Sequence, residues 1–158
     1  MVSPELLRRQ TFFASINQDR LISIAMIAEE VTVDQGVQIF EECQPADKLC
    51  VLIEGSVDLF YKSEEKYHPK ARKELPAGEI NPGEVFSISA LIEPYVLNAT
   101  GRTSLPSRII QIDAKALRAL IEKDSDLGCI LMHQITKALL ERLIYTRIQL
   151  AAAWAEAQ

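Results

Sequence analysis

The sequence has few of the residues that build catalytic and metal centres. It contains two histidines in 158 residues, His68 and His133, and neither belongs to a recognisable metal-binding motif. No phosphate loop of the form GxxxxGKS/T, no GxSxG nucleophile elbow and no HExxH helix occurs. These absences argue against an enzyme, a metal site or a haem ligand. We therefore expect a protein with no catalytic residues, no metal and no cofactor.

Cysteine is also scarce. The three cysteines, Cys43, Cys50 and Cys129, form no CxxC pair, and an odd number cannot form a closed set of disulfides. They are expected to be reduced, partly buried thiols. No apolar run approaches the ~18 residues of a membrane span, and the N-terminus lacks the apolar segment of a signal peptide. These observations favour a cytoplasmic protein without a membrane partner.

Basic residues are fewer than acidic ones. Lysine and arginine number 17 against 22 aspartates and glutamates, which gives a formal net charge of -5. Nucleic-acid binding depends on clustered basic residues that neutralise phosphates. The chain itself is therefore not expected to bind nucleic acid directly.

What the sequence does contain is enough apolar material for one domain over residues 1–158. Apolar residues make up 48% and charged residues 25%, which is the usual globular mix. Residues 1–30 show helical spacing and predict short helices. Residues 31–112 break into short β-branched runs separated by turn residues, which is typical of a barrel or jelly roll. The charged stretch from Lys62 to Arg72 is predicted to be a solvated hairpin tip.

Residues 113–158 return to a helical pattern. Asp113 is placed to cap a first helix, and no proline interrupts a second one from Asp126 to about Ala155, which would span about 45 Å. This helix is longer than a small barrel needs, and its apolar residues form two neighbouring stripes, which favours a homodimer. The alternative is a monomer with one broad stripe facing the core. The predicted dimer helix carries Leu131, Ile135, Leu139, Leu140, Leu143, Ile144 and Ile148.

Several ordered motifs lie at informative spacings. They are FFASI from Phe12, GVQIFEE from Gly36, PADKL from Pro45, VLIEGSV from Val51 and the turn PGEVF from Pro82. With these motifs the chain, from about Phe12 to Leu143, resembles the cyclic-nucleotide-binding domain family, the sensory domain of catabolite-activator-type regulators. The resemblance implies mainly β structure with flanking helices: an eight-stranded jelly-roll barrel, short N-terminal helices and a long C-terminal helix at a dimer interface.

The resemblance also implies a ligand pocket, the phosphate-binding cassette, within Gly83 to Thr103. In the family a short helix there points its N-terminal N–H groups at the cyclic phosphate. A glutamate accepts a hydrogen bond from the ribose, and an arginine pairs with the phosphate. The candidate ligand-binding residues in this sequence are Gly83, Phe86, Ser87, Ile88, Ser89, Ala90, Leu97, Asn98, Ala99 and Arg142.

The cassette departs from the family pattern at its charged positions. Ser87 stands at the glycine, Ile88 at the glutamate and Leu97 at the arginine, and Asn98 and Ala99 match the small pair that follows. Hydrogen bonds to charged groups contribute about 1.5 to 3 kcal/mol each. Loss of both anchors should weaken a cyclic nucleotide by about two to four decades. We therefore expect weak or no binding of cAMP and cGMP, and either a different small ligand or an empty, packed pocket.

Two arginines could replace the missing one. Arg102 lies an odd number of residues beyond Leu97, so on a regular strand it faces the opposite side, towards solvent. Arg142 lies on the long helix, where the family supplies residues that cap the base, and a charge among leucines needs a partner. The alternative for Arg142 is an arginine whose head reaches solvent from the helix surface.

Three functions are consistent with these observations. The first is a non-catalytic, homodimeric sensory domain in which occupancy of the pocket moves the long helix. The second is a dimerisation or interaction module that keeps the fold and has lost the site. The third is the sensor part of a transcription regulator whose DNA-binding domain is absent from these 158 residues.

Overall fold

The computed structural model describes residues 1–62 and 74–158, in which a β-barrel is flanked by helices at both ends of the chain. The hairpin tip predicted between Lys62 and Arg72 lies, apart from Lys62 itself, outside the described residues. Mainly β structure with N-terminal and C-terminal helices was the predicted fold class, and it is confirmed. No helix among the described residues is long and apolar enough to cross a membrane.

Short capped helices open the chain. Helix α1 covers Pro4–Arg8, and the Ser3 hydroxyl accepts a hydrogen bond from the backbone N–H of Leu6. A 3₁₀ turn at Thr11–Phe13 follows. Helix α2 covers Gln18–Met26 and is capped by the Asn17 side chain. These elements bury one apolar face against the barrel, so they close one side of it.

Six strands form one antiparallel sheet in the described residues. The bounds are Ala28–Val33 for β1, Gln38–Phe40 for β2, Lys48–Lys62 for β3, Glu74–Ile80 for β4, Val85–Phe86 for β5 and Thr100–Asp113 for β6. Strand β6 is central, because it pairs with β1, β2 and β3, while β3 also pairs with β4 and β5. Strand β1 starts at Ala28, a little before the predicted boundary at residue 31.

The strand count differs from the eight that the resemblance implied, and bulges are the reason. The sequence predicted a break at Gly55, but β3 runs through this position as one strand whose register against β6 shifts between Leu52 and Val57. Gly55 has a φ of 100°, which is open to glycine and strained for other residues. Bulges bend a strand without ending it, so β3 and β6 each follow a path that the prediction divided into two.

Two apolar clusters fill the structure. One lies inside the barrel and includes Leu52, Val57, Phe86 and Ile109. The other lies between the barrel wall and the helices, and it contains residues from α1, α2 and both C-terminal helices. The second cluster fixes where the C-terminal helices begin relative to the barrel, and therefore positions them next to the cassette.

The C-terminal helices are α3, Ala114–Lys123, and α4, Ser125–Glu156. The predicted cap is present, since Asp113 Oδ1 accepts a hydrogen bond from the N–H of Ala116 at 2.7 Å. At the junction Asp124 caps α4 and also receives two hydrogen bonds from Arg20, at 2.6 and 3.0 Å. Hydrogen bonding from Arg20 lowers the pKa of the Asp124 carboxyl below its ordinary value. The junction is thus tied to α2.

The structure corrects the predicted dimer face at two residues. Leu131 and Ile135 are 0% and 2% exposed within a single chain, because they pack into the cluster between barrel and helices. They are core residues and cannot meet a partner. The other residues of the predicted dimer face are exposed and form the exposed stripe, which consists of Leu139, Leu140, Leu143, Ile144 and Ile148.

Candidate ligand-binding site

The cassette begins with a tight turn that is held by strand β3. Gly83 has a φ of 89°, and its N–H donates to the carbonyl of Leu52 at 2.7 Å. The N–H of Leu52 donates in return to the carbonyl of Glu84 at 3.0 Å. These bonds carry the chain into β5 and then into a second 3₁₀ helix at Ile88–Leu91, the short helix that the resemblance implied.

Ser87 connects β5 to this short helix in a left-handed conformation, with a φ of 56°. A glycine occupies this position in the family pattern, and glycine adopts that conformation without strain. The Ser87 hydroxyl donates to the carbonyl of Lys48 at 2.8 Å. The side chain therefore anchors the cassette to β3.

A cavity of about 220 Å³ lies beside Ser87. Among the predicted candidate residues, Ser87 and Leu97 line it. The remaining wall is a mixture of apolar, amide and charged side chains from β2, β3, β6 and the loop after β2: Ile39, Phe40, Glu41, Gln44, Pro45, Asp47, Lys48, Cys50 and Gln111. We call this space the cassette cavity.

The two positions that carry charged anchors in the family pattern are packed against apolar neighbours. Leu97 is 6% exposed and belongs to the cluster between barrel and helices. Ile88 is half-buried and packs against the same cluster. Leu97 stands where the family pattern presents a guanidinium, and Ile88 stands where it presents a carboxylate. The phosphate and the ribose of a cyclic nucleotide would therefore each lack their usual partner there.

The other candidates are distributed over several environments. Phe86 and Ala99 contact the cluster inside the barrel, whereas Ala90 is buried in the cluster under the helices. Ser89 is half-buried and Asn98 is exposed. Gly83 lines a different groove. The structure thus brings Ser87 and Leu97 together at the cassette cavity, and none of the other candidates lines it.

Arg142 lines this second groove, of about 270 Å³, between α4, the first 3₁₀ turn and the turn before β5. Its guanidinium is half-buried and donates to the carbonyl of Val85, so it is not the freely solvated arginine of the alternative prediction. Burial lowers its pKa from the ordinary value, and the nearby charge of Glu84 opposes that shift. The groove shares no lining residue with the cassette cavity. Arg142 ties α4 to β5 from outside that cavity.

Arg102 faces outwards, as predicted. It pairs with Glu74 at 3.0 Å, and its guanidinium carbon lies 5.0 Å from the centre of the Phe60 ring. Within the described ranges 1–62 and 74–158, no three histidine, cysteine, aspartate or glutamate side chains come together to hold a metal ion.

Sequence reasoning missed two features of the site. A Cβ at Gly101 would lie 2.5 Å from the Phe40 ring, so this glycine makes room for an aromatic side chain that lines the cassette cavity. A glycine inside a strand indicates such an approach. The second feature is Arg118 on α3, which donates to the carbonyl of Ala90 at 2.6 Å. No sequence signal separates it from an ordinary surface arginine on a helix.

The thiol of Cys50, in the wall of the cassette cavity, should be less reactive than the other two thiols. Cys50 is buried, and its burial raises the pKa to about 12, whereas Cys43 and Cys129 are exposed. At about pH 8 only about one Cys50 thiol in 10,000 is then ionised. We expect Cys50 to react with an aromatic disulfide reagent at least about 100-fold more slowly than the exposed thiols, measured by peptide mass spectrometry. Equal rates would contradict the burial, and urea-unfolded protein serves as the control.

The barrel, the short helix after a glycine turn and the long C-terminal helix are the parts of the fold that the resemblance implied. The family model of the cyclic nucleotide-binding domain matches residues 30–124. The chain therefore belongs to the cyclic nucleotide-binding domain family, which confirms the resemblance seen in its motifs.

Individual relatives support this assignment. A solved structure from Geobacter metallireducens, provisionally named as a cyclic nucleotide-binding protein, is 38% identical with a TM-score of 0.80, over 90% of this chain and 99% of that one. The sensor domain of the transcriptional regulator DNR from Pseudomonas aeruginosa has the same fold, with a TM-score of 0.69 at 20% identity, over 88% of this chain and 89% of that one.

A curated relative is a CRP-like cAMP-activated global transcriptional regulator of Mycobacterium tuberculosis. It is 23% identical over 147 residues, or 93% of this chain. The chain spans 61% of the length of this relative. The chain is thus similar, over most of its length, to a part of a transcription regulator.

Proposed function

We propose that the chain is a non-catalytic regulatory and sensory domain that acts as a cytoplasmic homodimer and binds cAMP and cGMP weakly or not at all. The observation that carries the proposal is the packing of Ile88 and Leu97 at the two anchor positions. An apolar side chain cannot take over the role of a charged group in such a site, because the phosphate would then leave water without gaining a partner.

The charges around the cassette cavity support the same conclusion. Its lining contains two carboxylates, from Glu41 and Asp47, and one ammonium group, from Lys48. The Lys48 Nζ atom pairs with Glu29 at 3.2 Å and Glu41 pairs with Lys62 at 3.7 Å, so these two charges are already engaged and Asp47 leaves the lining acidic. A net acidic wall repels a cyclic phosphate, which carries a negative charge.

Isothermal titration calorimetry tests this directly. We expect no saturable binding of cAMP or cGMP up to about 1 mM, since two missing charged contacts account for about two to four decades of affinity. The cAMP-activated regulator of Mycobacterium tuberculosis provides a positive control under the same conditions. A dissociation constant below about 100 μM would contradict the proposal.

The cavity wall suits a small uncharged ligand better than an anion. Ser87, Gln44 and Gln111 supply neutral hydrogen-bonding groups, and Phe40 and Leu97 supply apolar surface. Thermal-shift measurements with matched neutral and anionic compounds test this preference. Stabilisation by neutral compounds alone supports sensing, because a ligand that binds only the folded state raises its stability. Stabilisation by none supports the alternative of a dimerisation module, which the packed Ile88 and Leu97 favour.

The exposed stripe on α4 supports the homodimer. Leu140 and Ile144 are 55% and 48% exposed in the single chain, and their neighbours on the stripe are similarly uncovered. A helix pair that buries this stripe would remove a contiguous apolar surface from water.

The relation to sensor domains of transcription regulators favours a further candidate, the sensor part of a longer regulator. The coding sequence downstream of residue 158 tests it, and an in-frame helix-turn-helix would support it.

A further inference from the structure

One side chain on α3 holds two separate parts of the cassette. The Nη1 atom of Arg118 donates to the carbonyl of Ala90, in the short helix, at 2.6 Å. The guanidinium carbon of Arg118 also lies 4.0 Å from the centre of the Tyr95 ring, in the loop after that helix. A charge-assisted hydrogen bond and a cation–π contact therefore come from the same group.

Both parts that Arg118 contacts are themselves fixed within the cassette. The N–H of Ala90 donates to the carbonyl of Ser87 at 3.1 Å, so the short helix is joined to the residue that anchors it on β3. Tyr95 has a left-handed backbone, and its carbonyl accepts a hydrogen bond from the N–H of Ala46 at 2.8 Å. A displacement of the cavity wall at Ser87 or beside Tyr95 therefore reaches the guanidinium through short, directional contacts.

Arg118 differs from the arginines that pair with carboxylates in this structure. Arg20, Arg102 and Arg108 each have an aspartate or glutamate partner. Within residues 1–62 and 74–158, no carboxylate lies within ion-pair distance of Arg118. Its polar contacts are made with the cassette, whereas the N-terminal end of α3 is held by a hydrogen bond from the N–H of Ala114 to the carbonyl of Asp47 at 2.9 Å, and the rest of the helix packs through apolar side chains. The guanidinium contacts are therefore the directional link between the middle of α3 and the cassette.

The position of α3 determines where α4 begins. Helix α3 ends at Lys123, and the next residue, Asp124, both caps α4 and is held by Arg20. Fewer than two turns of helix separate Arg118 from this junction. We propose that Arg118 is the positioning residue that couples the cassette to the α3–α4 junction. The proposal rests on the regulatory function proposed above and names the contact through which a change at the cavity reaches the long helix.

Hydrogen exchange on the full chain tests the coupling without any ligand. Leu97→Ala perturbs the cavity wall. In the wild-type background we expect it to speed amide exchange at least about fivefold in residues 88–97 and also in residues 114–131. In an Arg118→Met background, Leu97→Ala should still speed exchange in residues 88–97 but no longer change exchange in residues 114–131. A response of residues 114–131 that persists in Arg118→Met would overturn the proposal.

Two further variants keep the test decisive if Arg118→Met does not fold. Tyr95→Leu removes the stacked ring, and Arg118→Lys keeps the charge without the planar group. Each should at least halve the response of residues 114–131 to Leu97→Ala, and an unchanged response in both would also overturn the coupling. Arg147→Met, at an exposed position on α4, is the matched control and should leave the response intact. Failure to find a ligand would count against the sensing function and would not alter these results.

Discussion

Alanine at Gly55 is expected to destabilise the protein by about 2 to 6 kcal/mol, because two independent penalties combine there. The first is conformational, since Gly55 has a φ of 100° within strand β3. A residue with a Cβ in such a region costs about 1 to 3 kcal/mol. The second is steric, because an added Cβ would overlap Ser107 Oγ and would lie 2.6 Å from the carbonyl oxygen of Pro106. Overpacking of this kind costs about another 1 to 3 kcal/mol.

The measurement is urea unfolding followed by circular dichroism, with Gly36→Ala as the matched control. Gly36 also has a positive φ, of 79°, but no atom lies within 4 Å of the Cβ position. It therefore reports the conformational penalty alone. A free energy of unfolding that falls equally in both variants would show that strand β6 does not approach Gly55 closely. Total stabilities are about 5 to 15 kcal/mol, so Gly55→Ala is expected to leave much of the protein unfolded in mild denaturant.

Ile144→Glu is expected to convert the proposed homodimer into monomers. Ile144 lies in the middle of the exposed stripe, and a two-fold pairing of α4 would bury one glutamate from each chain. Burial of two unpaired carboxylates should raise the dimer dissociation constant at least about 100-fold. Light scattering after size-exclusion chromatography at about 10 μM would then give half the wild-type mass, while the helical signal in circular dichroism stays unchanged.

Leu105→Glu is the matched control for that experiment. Leu105 is an apolar residue on β6 that is 52% exposed, comparable to the stripe, but it lies on the barrel rather than on α4. It introduces the same charge and should leave the mass unchanged. A wild-type mass equal to one chain, or a dimer that survives Ile144→Glu, would exclude this stripe as the interface.

The fold was predictable because it depends on local patterns that the sequence carries. Gly83 marks the turn that opens the cassette, the family motifs around it place Ser87 in the cassette, and Asp113 marks the start of α3 through its capping side chain. The length of α4 follows from the absence of proline between residues 126 and 155. Each of these signals is read over a few residues, without knowledge of distant contacts.

The distribution of contacts along α4 was not predictable in the same way. Periodicity places Leu131 and Ile135 on an apolar stripe together with Leu139, but it does not show where the barrel stops covering that stripe. The barrel wall decides this point, and it lies far away in the sequence. For the same reason Arg142 and Arg118 could not be assigned partners, because Val85 and Ala90 lie 57 and 28 residues from them.

Helix α4 is buried at its start and uncovered afterwards, and this asymmetry gives it mechanical leverage. Arg142, whose guanidinium contacts Val85, is its last half-buried residue, and the helix continues to Glu156. The arm beyond it, of about 14 residues, is about 21 Å long, so a rotation of about 5° about Arg142 moves its tip by roughly 2 Å. A displacement too small to change the packing at the base thus becomes a shift of atomic dimensions at the tip. The geometry of α4 alone can therefore amplify a small movement at its base into a larger movement at its tip.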